Sequence, residues 1–289
     1  MRSVFADRSS GPEIHRLHDP FTLMKNITLT LVVLAAASAA WAAATPKKPI
    51  VYPLGYDDTP LIFSGSKWKV HDIARPAPTA VKPGDKPGTA PADAIVLFDG
   101  KSTDAFVAKD GVPCKWKIEN GELIVDGGDS WTKQTFGSCQ LHVEWKSHPN
   151  TEGNSQKKGN GGVFLMDRYE IQMVDNSPNN PTYADGMSGA VYGQTPPLVN
   201  ATRSAGEWQS YDIIFTAPKV VAGKVTEPAH VTVFVNGVVV QNHTKLLGPT
   251  LHKKATSWEG TFPASAPFRF QDHKNSIPNR MRNIWVRAL

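Results

Sequence analysis

The stretch Gly162–Asp175, GVFLMDRYEIQMVD, decides how this chain is read. Val163–Leu165 and Tyr169–Val174 are short apolar runs rich in aromatic and β-branched residues, which is what strands want. Side chains alternate along a strand, so Glu170 and Gln172 point to one face, about 7 Å apart, and Tyr169, Ile171 and Met173 to the other. The apolar set is core. Glu170 and Gln172 therefore face either water or a groove. Asp175 has the wrong parity to join Glu170 unless a bulge after Gln172 resets the register.

Strand signals recur on both sides of this stretch. Ile95–Phe98, Leu141–Trp145, Ala190–Tyr192, Tyr211–Phe215, Phe268–Gln271 and Asn283–Arg287 are short apolar or alternating runs. Asn120-Gly121 and Asn236-Gly237 each sit between two such runs, the strongest short-range hairpin signal. No long stretch of period 3.6 appears, so helices are few and short. About ten strands in one domain exceed a comfortable open sheet, so two packed sheets are expected. The reading is all-β: a jelly-roll sandwich of two antiparallel sheets. The polar loops at 149–161 and 176–189 would then form the rim of a groove.

The 289 residues are 40% hydrophobic and 20% charged, enough for one ordinary core. The net charge of +5 is spread over dispersed basic residues, with no compact Lys/Arg run, so nucleic acid is not an expected partner. From Met24 the sequence MKNITLTLVVLAAASAAWA has one lysine, an apolar core and a small-residue end at Ala40-Trp41-Ala42, the pattern of a secretory signal with an A-x-A cleavage site. The polar residues 1–23 make a poor lead-in and read as an over-long gene start. Residues 24–42 are then the signal, and the protein is expected to be exported, periplasmic or extracellular. The apolar core is too short for an anchor, and no later segment could span a bilayer.

Residues 43–92 are rich in Pro, Lys, Gly and Ala and read as an extended arm. Tyr52, Leu61, Phe63 and Trp68 suggest that part of it docks on a compact domain over 93–289. Cys114 and Cys139 would meet an oxidising compartment. A bridge between them would contribute about 3 kcal/mol on the chain-entropy estimate, and two separate buried thiols are the alternative.

Several polar residues alternate with core positions as Glu170 does. His142 and Glu144 lie opposite Leu141, Val143 and Trp145; Arg269, Gln271 and His273 share one side of their strand; Arg282 flanks the last strand. If these strands share a sheet, Glu170, Gln172, His142, Glu144, Gln271, His273 and Arg282 form one polar face with Tyr192 and Trp208 nearby. Carboxylates and amides pair with hydroxyls and aromatic faces stack on sugar rings, so such a face suits a carbohydrate.

Seven motifs then occur in order: Leu97-Phe-Asp-Gly-Lys101, Gly159-Asn-Gly-Gly-Val-Phe-Leu165, Tyr169-Glu-Ile-Gln-Met-Val-Asp175, Gly189-Ala-Val-Tyr-Gly193, Gly206-Glu-Trp-Gln-Ser-Tyr-Asp212, Val235-Asn-Gly-Val238, and Gln271-Asp-His with Arg282-Asn-Ile-Trp-Val-Arg287. Together they resemble the 3-keto-disaccharide hydrolase family, the 3-keto-glucoside 1,2-lyase/3-keto-2-hydroxyglucal hydratase domain, over about residues 94–289. The resemblance implies a concanavalin-like jelly roll and an exported enzyme of carbohydrate metabolism. Its substrate would be an oligosaccharide or glycoside oxidised at C3, supplied by a separate glucoside 3-dehydrogenase. A C3 ketone acidifies the hydrogen at C2; a base removes it, the aglycone leaves from C1, and water adds to the enone.

That chemistry needs a base, a donor or cation at the enolate oxygen and an acid for the leaving oxygen. The implied roles are Glu170 as base, His273 or Tyr192 as acid, and Arg282 or a divalent metal ion at the enolate. Gln172, Glu144, His142, Gln271, Trp208 and Asn160 would bind substrate. Asp175 and Asp272 are the candidate ligands for a divalent cation, calcium or a transition metal. Lys274 and Pro278-Asn279 depart from the family pattern beside the expected groove. Two other readings compete. A retaining β-glucanase-like glycosidase would use Glu170 with Asp175 as its two carboxylates. A non-catalytic, lectin-like carbohydrate-binding module would share the fold without the chemistry.

Overall fold

The computed structural model describes residues 53–289, so the expected gene-start extension, the signal over 24–42 and Tyr52 lie outside the described residues. The chain divides after Pro78 into two compact units. In the first, a turn-rich segment is closed by bridges between Tyr56 and Asp72 and between Leu61 and Lys69, and it exposes Leu61 and Phe63. The second unit begins at Thr79 and so takes in residues 79–92 of the Pro-rich arm together with the domain expected over 93–289. The reason is physical. The backbone oxygen of Gly88 accepts hydrogen bonds from Asn283 Nδ2 and Trp285 Nε1, each 2.8 Å, and Arg287 pairs with Asp93 at 2.6 Å, which ties the Pro-rich segment to the last strand.

Fifteen strands follow: β1 (Ile95–Phe98), β2 (Phe106–Val107), β3 (Lys117–Glu119), β4 (Glu122–Ile124), β5 (Ser130–Phe136), β6 (Cys139–Lys146), β7 (Gly161–Leu165), β8 (Tyr169–Met173), β9 (Gln209–Thr216), β10 (Lys219–Val221), β11 (Lys224–Glu227), β12 (His230–Val235), β13 (Val238–Lys245), β14 (Ala266–Phe270) and β15 (Arg280–Ala288). Helical structure among the described residues is confined to three single 3-10 turns. The larger sheet runs β13-β12-β9-β6-β15-β4-β3 with β1 also on β15; the smaller runs β2-β5-β14-β7-β8; β10 and β11 form a separate ribbon. The architecture is the expected all-β jelly-roll sandwich.

Both expected hairpins form. Asn120 and Gly121 have φ of 51° and 77°, and Asn236 and Gly237 have 53° and 81°, the left-handed pair that a two-residue turn requires. The core fills the space between the two sheets. Leu141, Val143 and Trp145 of β6, Tyr211, Ile213 and Phe215 of β9, and Val231, Val233 and Val235 of β12 meet Val163, Leu165, Tyr169, Ile171, Met173, Phe268 and Phe270 of the smaller sheet, all fully or nearly fully buried. Across this core the Tyr211 hydroxyl donates to the Gln172 backbone oxygen at 2.7 Å. It fastens the middle of β8 to the facing sheet.

The cysteines are both free. Cys114 lies 3.2 Å from the Ser130 hydroxyl beside the smaller sheet, whereas Cys139 opens β6 in the larger one. The bridge considered from the sequence therefore does not form in this structure. Burial pushes the Cys139 thiol up to about 12, which keeps it protonated and inert.

Candidate active site

Strand pairing alone places the candidate residues of the smaller sheet. Across the smaller sheet, Trp131 of β5, Arg269 of β14, Phe164 of β7 and Glu170 of β8 stand in one row, and Gly162 stands opposite Gln172 in the next. Their neighbours of opposite parity are core, so this row faces outward. The segment Gly189–Tyr192 runs along the free edge of β8. Gly189 N donates to Gln172 O, Gln172 N to Ala190 O and Tyr192 N to Glu170 O, at 2.9, 3.0 and 3.1 Å. The edge is thereby closed, and Tyr192 is set beside Glu170.

Loops wall the outward face into a cavity of about 390 Å³ lined by Gln156, Asn160, Phe164, Glu170, Gln172, Tyr183, Tyr192, Thr250, His252, Gln271 and His273. That volume lies in the range of about 300–1,000 Å³ usual for small-ligand sites. Glu170 is its only carboxylate-bearing wall residue. It is 5% exposed, and its backbone N–H donates to the Thr250 hydroxyl at 2.9 Å. Burial raises its carboxyl to about 8, against the lowering influence of Arg269 and with a smaller push from Asp129. Arg269 is held away from the carboxyl by ion pairs to Asp129 at 2.8 Å and Asp167 at 2.6 Å, and its guanidinium lies 3.5 Å from the centre of the Phe164 ring. Gly162 lies beneath the carboxyl: a Cβ there would stand 2.5 Å from Glu170 Oε1. Only glycine leaves the carboxylate this position.

The opposite wall is aromatic. The Tyr192 hydroxyl is 2.7 Å from that of Tyr183 and 3.1 Å from His252 Nδ1, and the His252 ring stacks on Tyr192 with an interplanar angle of 11°. Burial, then the Tyr183 hydrogen bond and the nearby Glu170, raise the Tyr192 hydroxyl above its ordinary range, so it keeps its proton. Amides form the floor. Gln172 Nε2 donates to Gln156 Oε1 at 2.7 Å, Asn160 Nδ2 donates to Gln156 O at 2.7 Å, and Asn160 Oδ1 is buried without a partner among the described residues. Gln271 and His273 complete the lining.

Of the residues expected from the sequence, Glu170, Gln172, Gln271, His273, Tyr192 and Asn160 meet here. His142, Glu144, Arg282 and Trp208 do not. The expectation that their strands share a sheet with β8 is corrected by the pairing: β6 and β15 belong to the larger sheet, and these side chains lie on its outer face. There His142 Nδ1 is 2.7 Å from Asp212, its ring stacks on Trp285, and Glu144 pairs with Arg282 at 2.6 Å. Trp208 lies between Lys146 and Arg282 at 4.4 and 4.0 Å. Burial opposes a charge on His142, but Asp212 and Glu144 outweigh it and raise His142 to about 9.

Asp175 does not line the cavity either; β8 ends at Met173 without the bulge that would have turned it inward, and Asp175 caps Ser177 N at 3.1 Å with Lys158 at 3.6 Å. Asp272 accepts from Gly128 N and from Lys274 N and Nζ at 2.8 to 2.9 Å. The two candidate metal ligands are thus engaged separately, and among the described residues no three His, Cys, Asp or Glu side chains gather as a cation site. Sequence reasoning missed Gln156, Tyr183, Thr250 and His252. Gln156 and Tyr183 lie in the two loops expected to rim a groove, but a loop has no period to single out a residue; Thr250 and His252 lie on a third loop, anchored where Thr250 N donates to Arg168 O.

Residues 93–287 match the 3-keto-alpha-glucoside-1,2-lyase-like domain family. A curated relative, the 3-keto-disaccharide hydrolase of Bacteroides thetaiotaomicron, is 27% identical over 170 residues, covering 46% of this chain and 56% of that protein. The chain thus spans just over half the length of that relative. A crystal structure of a candidate glycosyl hydrolase from Parabacteroides distasonis is 41% identical, covering 82% of this chain and all of that one, with a TM-score of 0.72. With a matched segment that takes in the whole groove and both sheets, the chain belongs to the 3-keto-alpha-glucoside-1,2-lyase-like family.

Proposed function

We propose that this chain is an exported carbohydrate-active enzyme that cleaves 3-keto-glycosides, with Glu170 as the base that removes the proton from C2. The observation that carries this reading is the cavity's single carboxyl group, buried and held with a raised proton affinity. A base of this kind matches the acidity a neighbouring ketone confers on C2–H. The C2–H electron pair forms the enolate, which collapses with cleavage of the C1–O bond, and the aglycone oxygen takes a proton. Tyr192 supplies that proton: its hydroxyl stays protonated and His252 stands behind it to replace it. Gln271 and His273 supply the donors at the C3 oxygen in place of Arg282. Water then adds at C1 of the enone, and C2 is reprotonated, for net hydrolysis.

Two-carboxylate displacement is disfavoured by the position of Asp175, because a retaining glycosidase needs a second carboxyl about 5–5.5 Å from the first inside the groove. Export rests on the Met24–Ala42 pattern, and a 3-keto substrate implies a dehydrogenase acting first on the same sugar. The test is to assay an aryl glucoside beside its 3-keto derivative. Turnover of the 3-keto compound alone is expected; comparable turnover of the unoxidised glucoside would overturn the mechanism. Sugar binding without turnover of any 3-keto glycoside would make the chain a lectin-like module.

A further inference from the structure

A second cavity of about 510 Å³ shares the Tyr183 and Tyr192 wall with the first and is otherwise lined by Asp185, Gly193, Leu251, Lys253, Lys254 and Ala255. Residues 250–253 alternate between the two, and Lys254 and Ala255 stay with the second. Thr250 and His252 line the Glu170 cavity, and Leu251, Lys253 and Lys254 line its neighbour. The alternation ends at Lys253, whose φ of 57° is a left-handed backbone that a non-glycine residue adopts at a cost and that recurs at binding sites, and Lys253 and Lys254 then line the same cavity. The Tyr192 hydroxyl, with Tyr183 and His252 on either side, therefore stands at the junction of the two spaces.

We propose that the second cavity is the leaving-group subsite and that it takes an aglycone bearing a carboxylate or other anionic substituent, recognised by Lys253 and Lys254. This rests on the reaction proposed above, because it assigns the bond that breaks to the junction at Tyr192. The charge argument is direct. Neither lysine forms an ion pair among the described residues, and Asp185 is the only opposing carboxylate in the wall, so the subsite carries a net positive charge at neutral pH. Leu251 and the Tyr183 ring, both exposed, give the aglycone apolar faces on which to lie.

The test compares the 3-keto-glucosides of 4-hydroxybenzoate and 4-hydroxybenzamide, in wild type and in a Lys253→Ala/Lys254→Ala variant. The ratio of kcat/KM for carboxylate over amide removes the intrinsic difference between the leaving groups. That ratio is expected to be about fivefold higher in wild type than in the variant, the size of an exposed ion pair, and the difference should shrink as salt rises. An equal ratio in both proteins would overturn the assignment. If neither compound is turned over, the proposed reaction fails, and calorimetric Kd values for the same two glycosides decide the subsite: a carboxylate preference lost in the variant supports it, and none in wild type refutes it.

Discussion

Glu170 carries two consequences that a single substitution separates. If Glu170 is the base proposed above, Glu170→Gln should lower kcat by roughly 10²–10⁴-fold, the usual share of acid–base catalysis. As a buried carboxyl raised to about 8, it also bears on stability. Its folded value lies above the unfolded one, so the folded state holds the proton more tightly, and stability is lost as pH rises from about 4.5 to about 8. Glu170→Gln should therefore be inactive yet flatten the fall of Tm with pH across that window, as thermal melts at pH 5 and pH 8.5 would show. The same value predicts that wild-type kcat/KM rises through about pH 8. Gly162→Ala acts on geometry: its Cβ would meet Glu170 Oε1 at 2.5 Å and Phe164 Cε2 at 3.0 Å. The carboxyl end can move, so Tm should change little, whereas kcat/KM should fall by about tenfold or more, because small displacements of a reacting group are costly.

At the scale of elements, β8 is the strand on which the site depends. It is held on three sides: by β7, by the Gly189–Tyr192 segment along its edge, and by the Tyr211 hydroxyl across the core. Tyr211→Phe removes the last of these. The Gln172 oxygen still accepts from Gly189 N at 2.9 Å, so no carbonyl is orphaned. The expected loss is about 1 kcal/mol, the net worth of one such bond, measured as a shift in the urea midpoint. Much of β8 was legible beforehand because it needs only local information. Alternation assigns Glu170 and Gln172 to the outward face, and Asn-Gly pairs locate two hairpins. What periodicity could not supply was which strands share a sheet. His142 meets Trp285 across β6 and β15, a pairing between residues far apart in sequence, and it carries His142, Glu144 and Arg282 to the other sheet. Tyr183 and His252 were hidden for a related reason: loop residues carry no period, and both meet the groove through contacts with Tyr192, itself set by the bonds that close the edge of β8.

Over the whole molecule the two outward faces carry opposite chemistry. The smaller sheet presents a cavity with one protonatable carboxyl; the larger presents a charged lattice in which Glu144 and Asp212 enclose His142 beneath the Gly88 backbone. His142 has a folded value near 9, above its ordinary 6.5, so its stabilising charge is full below about 6.5 and fades as pH rises through about 9. Glu144 runs the other way. Burial opposes its charge, but His142, Asn283 and Arg282 lower it to about 2, so its contribution is present above about 4.5 and lost in strong acid. The protein should therefore be most stable at mildly acidic pH, with His142→Gln removing part of the decline between pH 6.5 and 9 and leaving turnover intact, since His142 is remote from the cavity.

The reaction proposed here begins with Glu170 taking the proton from C2 of a 3-keto sugar. That step is read by cleaving a 3-keto-glucoside in deuterated water and following C2 of the product by NMR. Deuterium should appear at C2 with wild type and not above background with Glu170→Gln; a cleaved product that keeps its original hydrogen at C2 would rule out proton abstraction there.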